Sequence, residues 1–492
     1  MRIQKYLSFP MRTCPKHFVP MTLPGHSATW LVCALLWGGV AMAGESADPF
    51  STGATLPPKP ALRNAEPCAD LPADRALDLA DVVNVALCNN PQTREVWASS
   101  RAQAAQVGVS QASYLPGVSA SASENRSTPG ASQRSIGLSL SYLLYDFGAR
   151  AANLDYARQL LAAASATQDS AVQALFLAVV QAYYQTHATQ AAFEAASVSE
   201  HAAQESFAAA KARYQAGSAT PADKFAAQTA YSQATLNRIT ADGAMKIARG
   251  NLANILSLDA NQQVNLVANL PASHENEISG NFEQNIAVLI EQARQHRPDL
   301  QAAAALVKAA ESSTEAARAA GKPTVSLVAA TSQNNSAGIN THGSSLGVSL
   351  SVPLFSGYAP TYRIRAAEAQ TEIRQAQFER IRLQVALDVW TAYQNLITAT
   401  QNRITTADLL SSAEQSERVA LGRYKAGAGI MLDVLNAQNA LASARQQRIQ
   451  ASFNWNISRA ALAQAMGSLD ADFLQVLPAR TSGKNVRNTH KP

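Results

Sequence analysis

Few residues of this chain have types and spacings that could do chemistry. Gly343-Ser344-Ser345-Leu346-Gly347 fits G-x-S-x-G, which presents a serine nucleophile on a strand-to-helix elbow. Ser345 would then need a histidine base and an acid to orient it. The motif instead opens the alternating run "SLGVSLSV" (345–352), and the similar run "SIGLSLSY" (135–142) lacks it. The eight His are scattered, and H-E-x-x-H, Walker A and G-x-G-x-x-G patterns do not occur. No catalytic constellation emerges, so the expectation is a protein that is not an enzyme and has no cofactor and no metal.

Other polar residues sit where chains turn. Thr220-Pro221-Ala222-Asp223 reads as N-cap, proline at the first helical position and an acid at the third, a capping box that gives Asp223 a structural role. Asp433 has no Ser or Thr in the capping position before it. Two readings stay open for Asp433: an acid favouring the helix dipole, or, in a symmetric oligomer, a ring of carboxylates at a narrow opening that selects cations. Cys68 and Cys88 follow an apparent export signal, so they form either a disulfide or two buried thiols.

The elements that must position these residues are announced by composition. Of 492 residues, 47% are hydrophobic, 15% charged and 6% aromatic, and Ala makes up about a fifth of the chain. Ala favours helix without supplying bulk, which points to slender, closely packed helices. The net charge of +5 is concentrated at the ends. Arg2, Lys5, Arg12 and Lys16 lie in the first 43 residues and Arg480, Lys484, Arg487 and Lys491 in the tail, so residues 44–479 sum to −3. That distribution argues against nucleic acid. Basic residues, a short apolar stretch from Ala28 to Val40 and Ala41-Met42-Ala43 compose a signal peptide over 1–43. Beyond it no uncharged apolar run approaches the ~20 residues of a membrane-spanning helix.

A duplication organises the rest. Ala86 and Pro91 recur as Ala293 and Pro298, while "RYQAGSATPADKFAAQ" (213–228) returns as "RYKAGAGIMLDVLNAQ" (423–438), offset by 210. The chain divides into a signal peptide (1–43), a Pro-rich segment (44–77), a first repeat (78–281), a second repeat (282–470) and a polar tail (471–492). Each repeat is expected to hold a helix (about 78–113 and 283–319), two short strands, a very long helix (about 148–213 and 360–424) and a return helix (about 222–257 and 431–466). Gly217 and Gly427 break the long helices. In the strands Ile136, Leu138, Leu140 and Tyr142 alternate with Ser and Gly, as do Leu346, Val348, Leu350 and Val352. An apolar face backed by Ser and Gly suits a strand between lipid and a watery lumen; the other reading is an edge hairpin over a soluble core. Four strands cannot close a barrel, so a membrane role implies several copies of the chain.

The paired "A…NP/RP…P" helices, the hairpin ends Tyr145-Asp146-Phe147-Gly148 and Pro353-Leu354-Phe355-Ser356-Gly357, and the two R-Y-x-A-G turns resemble the TolC family of outer-membrane efflux proteins from about residue 75 to 470. The resemblance implies a mainly α fold with a small membrane β part. A long α-helical barrel would carry four β-strands per chain, completing a shared trimeric 12-stranded β-barrel in the outer membrane of a Gram-negative bacterium. It implies a homotrimer in outer-membrane lipid that docks with a periplasmic adaptor (membrane fusion) protein and an inner-membrane transporter of the ABC type, with no nucleic acid as partner. Asp433 resembles the acidic ring at the family's periplasmic entrance, and Tyr424 a tyrosine that holds it closed. Asn436 stands where some members have a second Asp, and Gly429 where they have a gating Arg. The turns Arg213, Tyr214, Gly217 and Arg423, Tyr424, Gly427 are read either as the adaptor's grip or as purely structural. The Cys68…Cys88 segment resembles members serving type I secretion of a protein toxin. Drug or metal efflux is the alternative, and a soluble periplasmic coiled-coil tether a more distant one.

Overall fold

A computed structural model describes residues 48–55, 76–126, 132–267, 286–336 and 338–469. The expected signal peptide, Cys68 and the polar tail lie outside the described residues. Residues 48–51 belong to a separate unit, closed by the Ser51 N–H donating to the Asp48 carbonyl at 3.0 Å. All that follows concerns the unit that begins at Thr52.

The first repeat opens with α1 (Leu79–Asn89) and α2 (Pro91–Ala112), the second with α5 (Ile286–His296) and α6 (Pro298–Ala319). A single helix is expected from the sequence in each place; each divides at a proline. The residue before proline is forced out of the helical region, so Asn90 (φ −63°, ψ 130°) and Arg297 (φ −67°, ψ 122°) are extended. Pro91 and Pro298 then start the next helix where a missing N–H is harmless.

The long helices α3 (Ala149–Gln215) and α7 (Ala359–Lys425) have 67 residues each, which extends them about 100 Å. They return through α4 (Pro221–Ile255) and α8 (Met431–Ala465). Where α1, α3, α4 and α8 meet, a core forms around Val82, Val83, Phe176, Val179, Val180, Leu252 and Leu256. A second core joins α5, α7 and α8 through Leu289, Val385, Val389, Leu396, Trp455 and Leu462. Ala faces between these larger residues let the helices approach closely, as the composition anticipates.

Between α2 and α3 run β1 (Gly117–Arg126) and β2 (Ser132–Tyr145); between α6 and α7 run β3 (Thr324–Ser336) and β4 (Ile339–Ser351). They form one antiparallel sheet in the order β1-β2-β3-β4. Residues opposite one another share a face. The register therefore puts Val118, Leu140, Ala329 and Leu346 in one row, and Tyr142, Leu327 and Val348 in the next. The reverse face carries Ser119, Ser139, Ala330 and Ser345, and two residues away Ser121, Gly137, Ser332 and Gly343. The apolar face is bare, with Ile136, Leu346, Val348 and Leu350 each 64–75% exposed. Towards the hairpin tips this face ends in Glu124 paired with Arg134 at 3.2 Å. Within one chain the outer edges of β1 and β4 are unpaired. Such an edge is not tolerated in lipid, so in a membrane other strands would have to close the sheet.

Candidate functional site

Ala86, Pro91, Ala293 and Pro298 lie at or near the breaks between α1 and α2 and between α5 and α6, whereas the repeated R-Y-x-A-G turns lie at the ends of the helical hairpins farthest from the sheet. There α3 and α7 stop in the same way. Gly217 (φ +75°) and Gly427 (φ +76°) adopt the left-handed conformation that ends a helix without a Cβ penalty. Their N–H groups donate to Tyr214 and Tyr424 carbonyls at 3.0 and 3.1 Å, and the following Ser218 and Ala428 donate to Arg213 and Arg423 at 2.9 Å. This double closure accounts for the glycine and the length of each R-Y-x-A-G turn.

The side chains then diverge. Tyr424 is buried with Ala210, Ala227, Met431, Val434 and Leu435, whereas Tyr214 is 40% exposed beneath Lys224. The Arg213 guanidinium lies 4.2 Å over the Tyr424 ring and donates to the Tyr424 carbonyl at 3.0 Å. The Tyr424 hydroxyl, although buried, has no hydrogen-bond partner. Deeper along the hairpins Gln438 Nε2 donates to Ser206 Oγ at 3.0 Å. Ser206 and Gln438 escape the sequence reading; the repeat carries Gln438 as a match to Gln228, a signal that something other than helix propensity holds it.

The two acids also part company. Asp223 accepts from Thr220 Oγ1 (2.8 Å) and from the Thr220 N–H (3.2 Å), while its own N–H donates to Thr220 Oγ1 (3.2 Å). One of its carboxylate oxygens is thus occupied locally. Asp433 begins α8 after Ile430, which makes no side-chain cap. Asp433 and Asn436 are exposed and line an open groove of about 600 Å³ between α7 and α8, with Ser416, Val419, Ala420 and Arg423. Among the described residues no ion pair joins Arg423 to Asp433. Gly429 lies against the end of α7: a Cβ there would stand 3.2 Å from both Arg423 Cβ and the Tyr424 nitrogen. The position thus accepts a side chain only if the turn shifts.

Above the tips each repeat places an arginine differently. Arg238 of α4 donates to Glu200 of α3 at 2.6 Å, and Thr235 with this guanidinium holds the Glu200 carboxyl below its ordinary value. Its counterpart Arg448 donates instead to the Arg403 carbonyl at 2.6 Å.

Ser345 sits inside β4 opposite Ala330, away from any strand-to-helix elbow, so the geometry that would activate it is missing. Among the described residues no group of three or more His, Cys, Asp or Glu could hold a metal ion, and no helix is long and apolar enough to cross a membrane. Cys88 is disulfide-bonded.

Comparison with known proteins agrees with this geometry. The sequence pattern of the family described as outer membrane efflux protein matches residues 82–257 and again 289–468. The chain is 31% identical over 452 residues to Protein CyaE of Bordetella pertussis, covering 88% of this chain and 94% of that one. It is 26% identical over 425 residues to the probable efflux pump outer membrane protein TtgC of Pseudomonas putida, covering 79% and 82%. Among solved structures, the outer-membrane channel OprN superposes with a TM-score of 0.70 at 21% identity, over 79% of this chain and 90% of that one.

Proposed function

Since the chain belongs to the outer membrane efflux protein (TolC) family, non-enzymatic ducts of the outer membrane, we propose that it is the exit duct of a type I secretion system. Three copies contribute twelve strands to one barrel, which relieves the unpaired edges of β1 and β4. The bare apolar face of the sheet then meets lipid and the Ser-Gly face the lumen. Cargo passes through the helical tunnel below and leaves by the barrel, with energy supplied by an inner-membrane transporter of the ABC type. A periplasmic adaptor couples the two. In this reading the structural repeats run over 78–281 and 282–470, and the cargo is a protein toxin of the adenylate cyclase-haemolysin kind.

The observation that carries the secretion reading is the degree of likeness. Identity to the Bordetella protein is 31% over 88% of the chain, against 26% over 79% for the efflux-pump protein. The entrance is the pair of hairpin tips. Asp433, with Asn436 beside it, faces the opening, and Tyr424 packs the closed state while Gly429 keeps the turn close to α7. Arg213, Tyr214, Gly217, Arg423 and Gly427 form the turns offered to the adaptor.

A deletion strain scored for both phenotypes tests this. Loss of one secreted protein with unchanged drug and metal tolerance is the expected outcome. Intact secretion with heightened sensitivity to drugs or metals would assign the duct to efflux. A chain recovered as a soluble monomer without detergent would make it a periplasmic tether.

A further inference from the structure

The contact between the two tips is written twice in the sequence but made once in the chain. Arg213 covers the Tyr424 ring and bonds its carbonyl, and Ser206 bonds Gln438. At the repeat offset of 210, Arg213 becomes Arg423, Ser206 becomes Ser416, Tyr424 becomes Tyr214 and Gln438 becomes Gln228. Every image has the identity of its original. None of the four makes the image contact within the chain, and all four are exposed.

The helix-ending turn asks only for its glycine. It does not explain why an arginine, a tyrosine, a serine and a glutamine recur together at the same offset. Two of the images, Arg423 and Ser416, line the groove between α7 and α8. Ala420 lies beside them and is the image of Ala210, which is fully buried where the first tip meets the second. The groove thus carries one half of the intrachain contact, and the first hairpin carries the other half on Tyr214 and Gln228.

We propose that this groove is the seat of a second copy of the chain, with Arg423 covering Tyr214 of the partner subunit and Ser416 bonded to Gln228 of the partner subunit. The entrance is then closed by one latch used six times, three within chains and three between them. The proposal rests on the reading of the chain as a trimeric channel. It gives Arg213 and Arg423 a holding role, in addition to any contact with an adaptor. It also accounts for closure without a side chain at position 429.

Cross-linking of the full-length chain in outer membranes tests the pairing. The double variant Ser416→Cys with Gln228→Cys, treated with a short bifunctional thiosulfonate, is expected to give covalent dimers and trimers on a denaturing, non-reducing gel. Ser206→Cys with Gln438→Cys is expected to react equally well but to stay at monomer mass. Monomer mass for the first pair, or cross-links only to another polypeptide, overturns the proposal if the unreacted protein remains a detergent-resistant multimer. A chain that is no multimer at all sinks the channel reading instead. Single substitutions give a second readout by conductance in planar bilayers. A cation–π contact with a charged hydrogen bond is worth about a thirty-fold shift in closed-to-open ratio, or more. Arg213→Ala and Arg423→Ala are expected to raise the open fraction alike, and a response to Arg213→Ala alone refutes the equivalence.

Discussion

The two repeats start from the same turns and helix lengths, yet they distribute polar groups differently. In the first, the polar side chains are mostly satisfied nearby. Asp223 caps its own helix, Arg238 pairs with Glu200, and Asp146 at the foot of β2 pairs with Arg150 at 3.1 Å, whose guanidinium also covers Tyr114. In the second, Arg448 is still satisfied by the Arg403 carbonyl, but the tip and the foot of the sheet are left more open. Asp433 has no cap to serve, Arg423 faces a groove, and the foot of β4 ends in the exposed Leu354, Phe355 and Tyr358. A duplicated unit that must close a ring cannot have both copies self-sufficient. One copy supplies a finished surface and the other an unfinished one that a neighbour completes.

The sharpest break between the repeats lies where the return helices end. Gly467 and its counterpart Ser257 both have positive φ, +75° and +63°. A Cβ at Gly467 would stand 2.9 Å from the His296 carbonyl group. Gly467→Ala is therefore expected to lose about 3 kcal/mol, from left-handed strain plus overpacking. Ser257→Ala, already a non-glycine, should change little. The measurement is the melting temperature of the detergent-solubilised protein, and equal falls for the two would erase the distinction.

The next effect concerns the residues before the helix-breaking prolines. Arg297 is 11% exposed and bonds Asp299 (2.6 Å) and Asp388 (2.8 Å), each about a third exposed. Burial works against its charge, but the two carboxylates outweigh it and raise the guanidinium above its ordinary value. Arg297→Met leaves both acids without a countercharge, Asp388 keeping only Gln384 (2.7 Å) and Asp299 only the Leu300 N–H (2.9 Å), a loss of about 2 kcal/mol once their exposure is discounted. Asn90, its counterpart, caps Gln92 at 2.8 Å and donates to the Ile255 carbonyl at 3.1 Å. Asn90→Ala should cost about 1 kcal/mol. Adding Asp388→Leu to Arg297→Met should recover part of the larger loss, and no recovery would deny the network.

How much of this was legible in the sequence depends on whether the signal is local. Helix ends at Gly217 and Gly427, the Thr220–Asp223 cap and the two-faced strands follow from neighbouring residues and match what is observed. The break at Pro91 and Pro298 was equally local, since the residue before a proline leaves the helical region, yet each stretch is read from the sequence as one helix. Arg213 over Tyr424 and Ser206 with Gln438 were illegible, because residues more than 200 apart meet only after two 67-residue helices have been laid side by side. The burial of Tyr424 and exposure of Tyr214 could not be read either, since their sequence surroundings are nearly the same.

The acids give a smaller but cleaner contrast. Asp223→Ala removes a capping box and should cost about 1 kcal/mol of stability while leaving ion conduction unchanged. Asp433→Ala should do the reverse, leaving melting unaltered and weakening block by multivalent cations in single-channel recordings. Asn436→Asp should strengthen that block, because it doubles the carboxylates facing the groove. If Asp433→Ala lowered only the melting temperature, the acid would belong to the helix dipole.

The smallest effect discriminates between two ways a tyrosine can hold the entrance. If Tyr424 acted through its hydroxyl, Tyr424→Phe would open the channel. Here the buried hydroxyl has no partner, while Arg213 uses the ring face and the main-chain carbonyl, both of which phenylalanine keeps. Removing an unsatisfied buried hydroxyl is neutral or stabilising, by up to about 1 kcal/mol. Tyr424→Phe should thus leave conductance low and melting equal or higher, whereas Tyr424→Ala, which deletes the ring, should open the entrance. Tyr214→Phe should behave in the same way if its ring serves a neighbouring arginine, although it is the exposed member of the pair. An open channel from either phenylalanine variant would return the latch to the hydroxyl and separate the two tyrosines again.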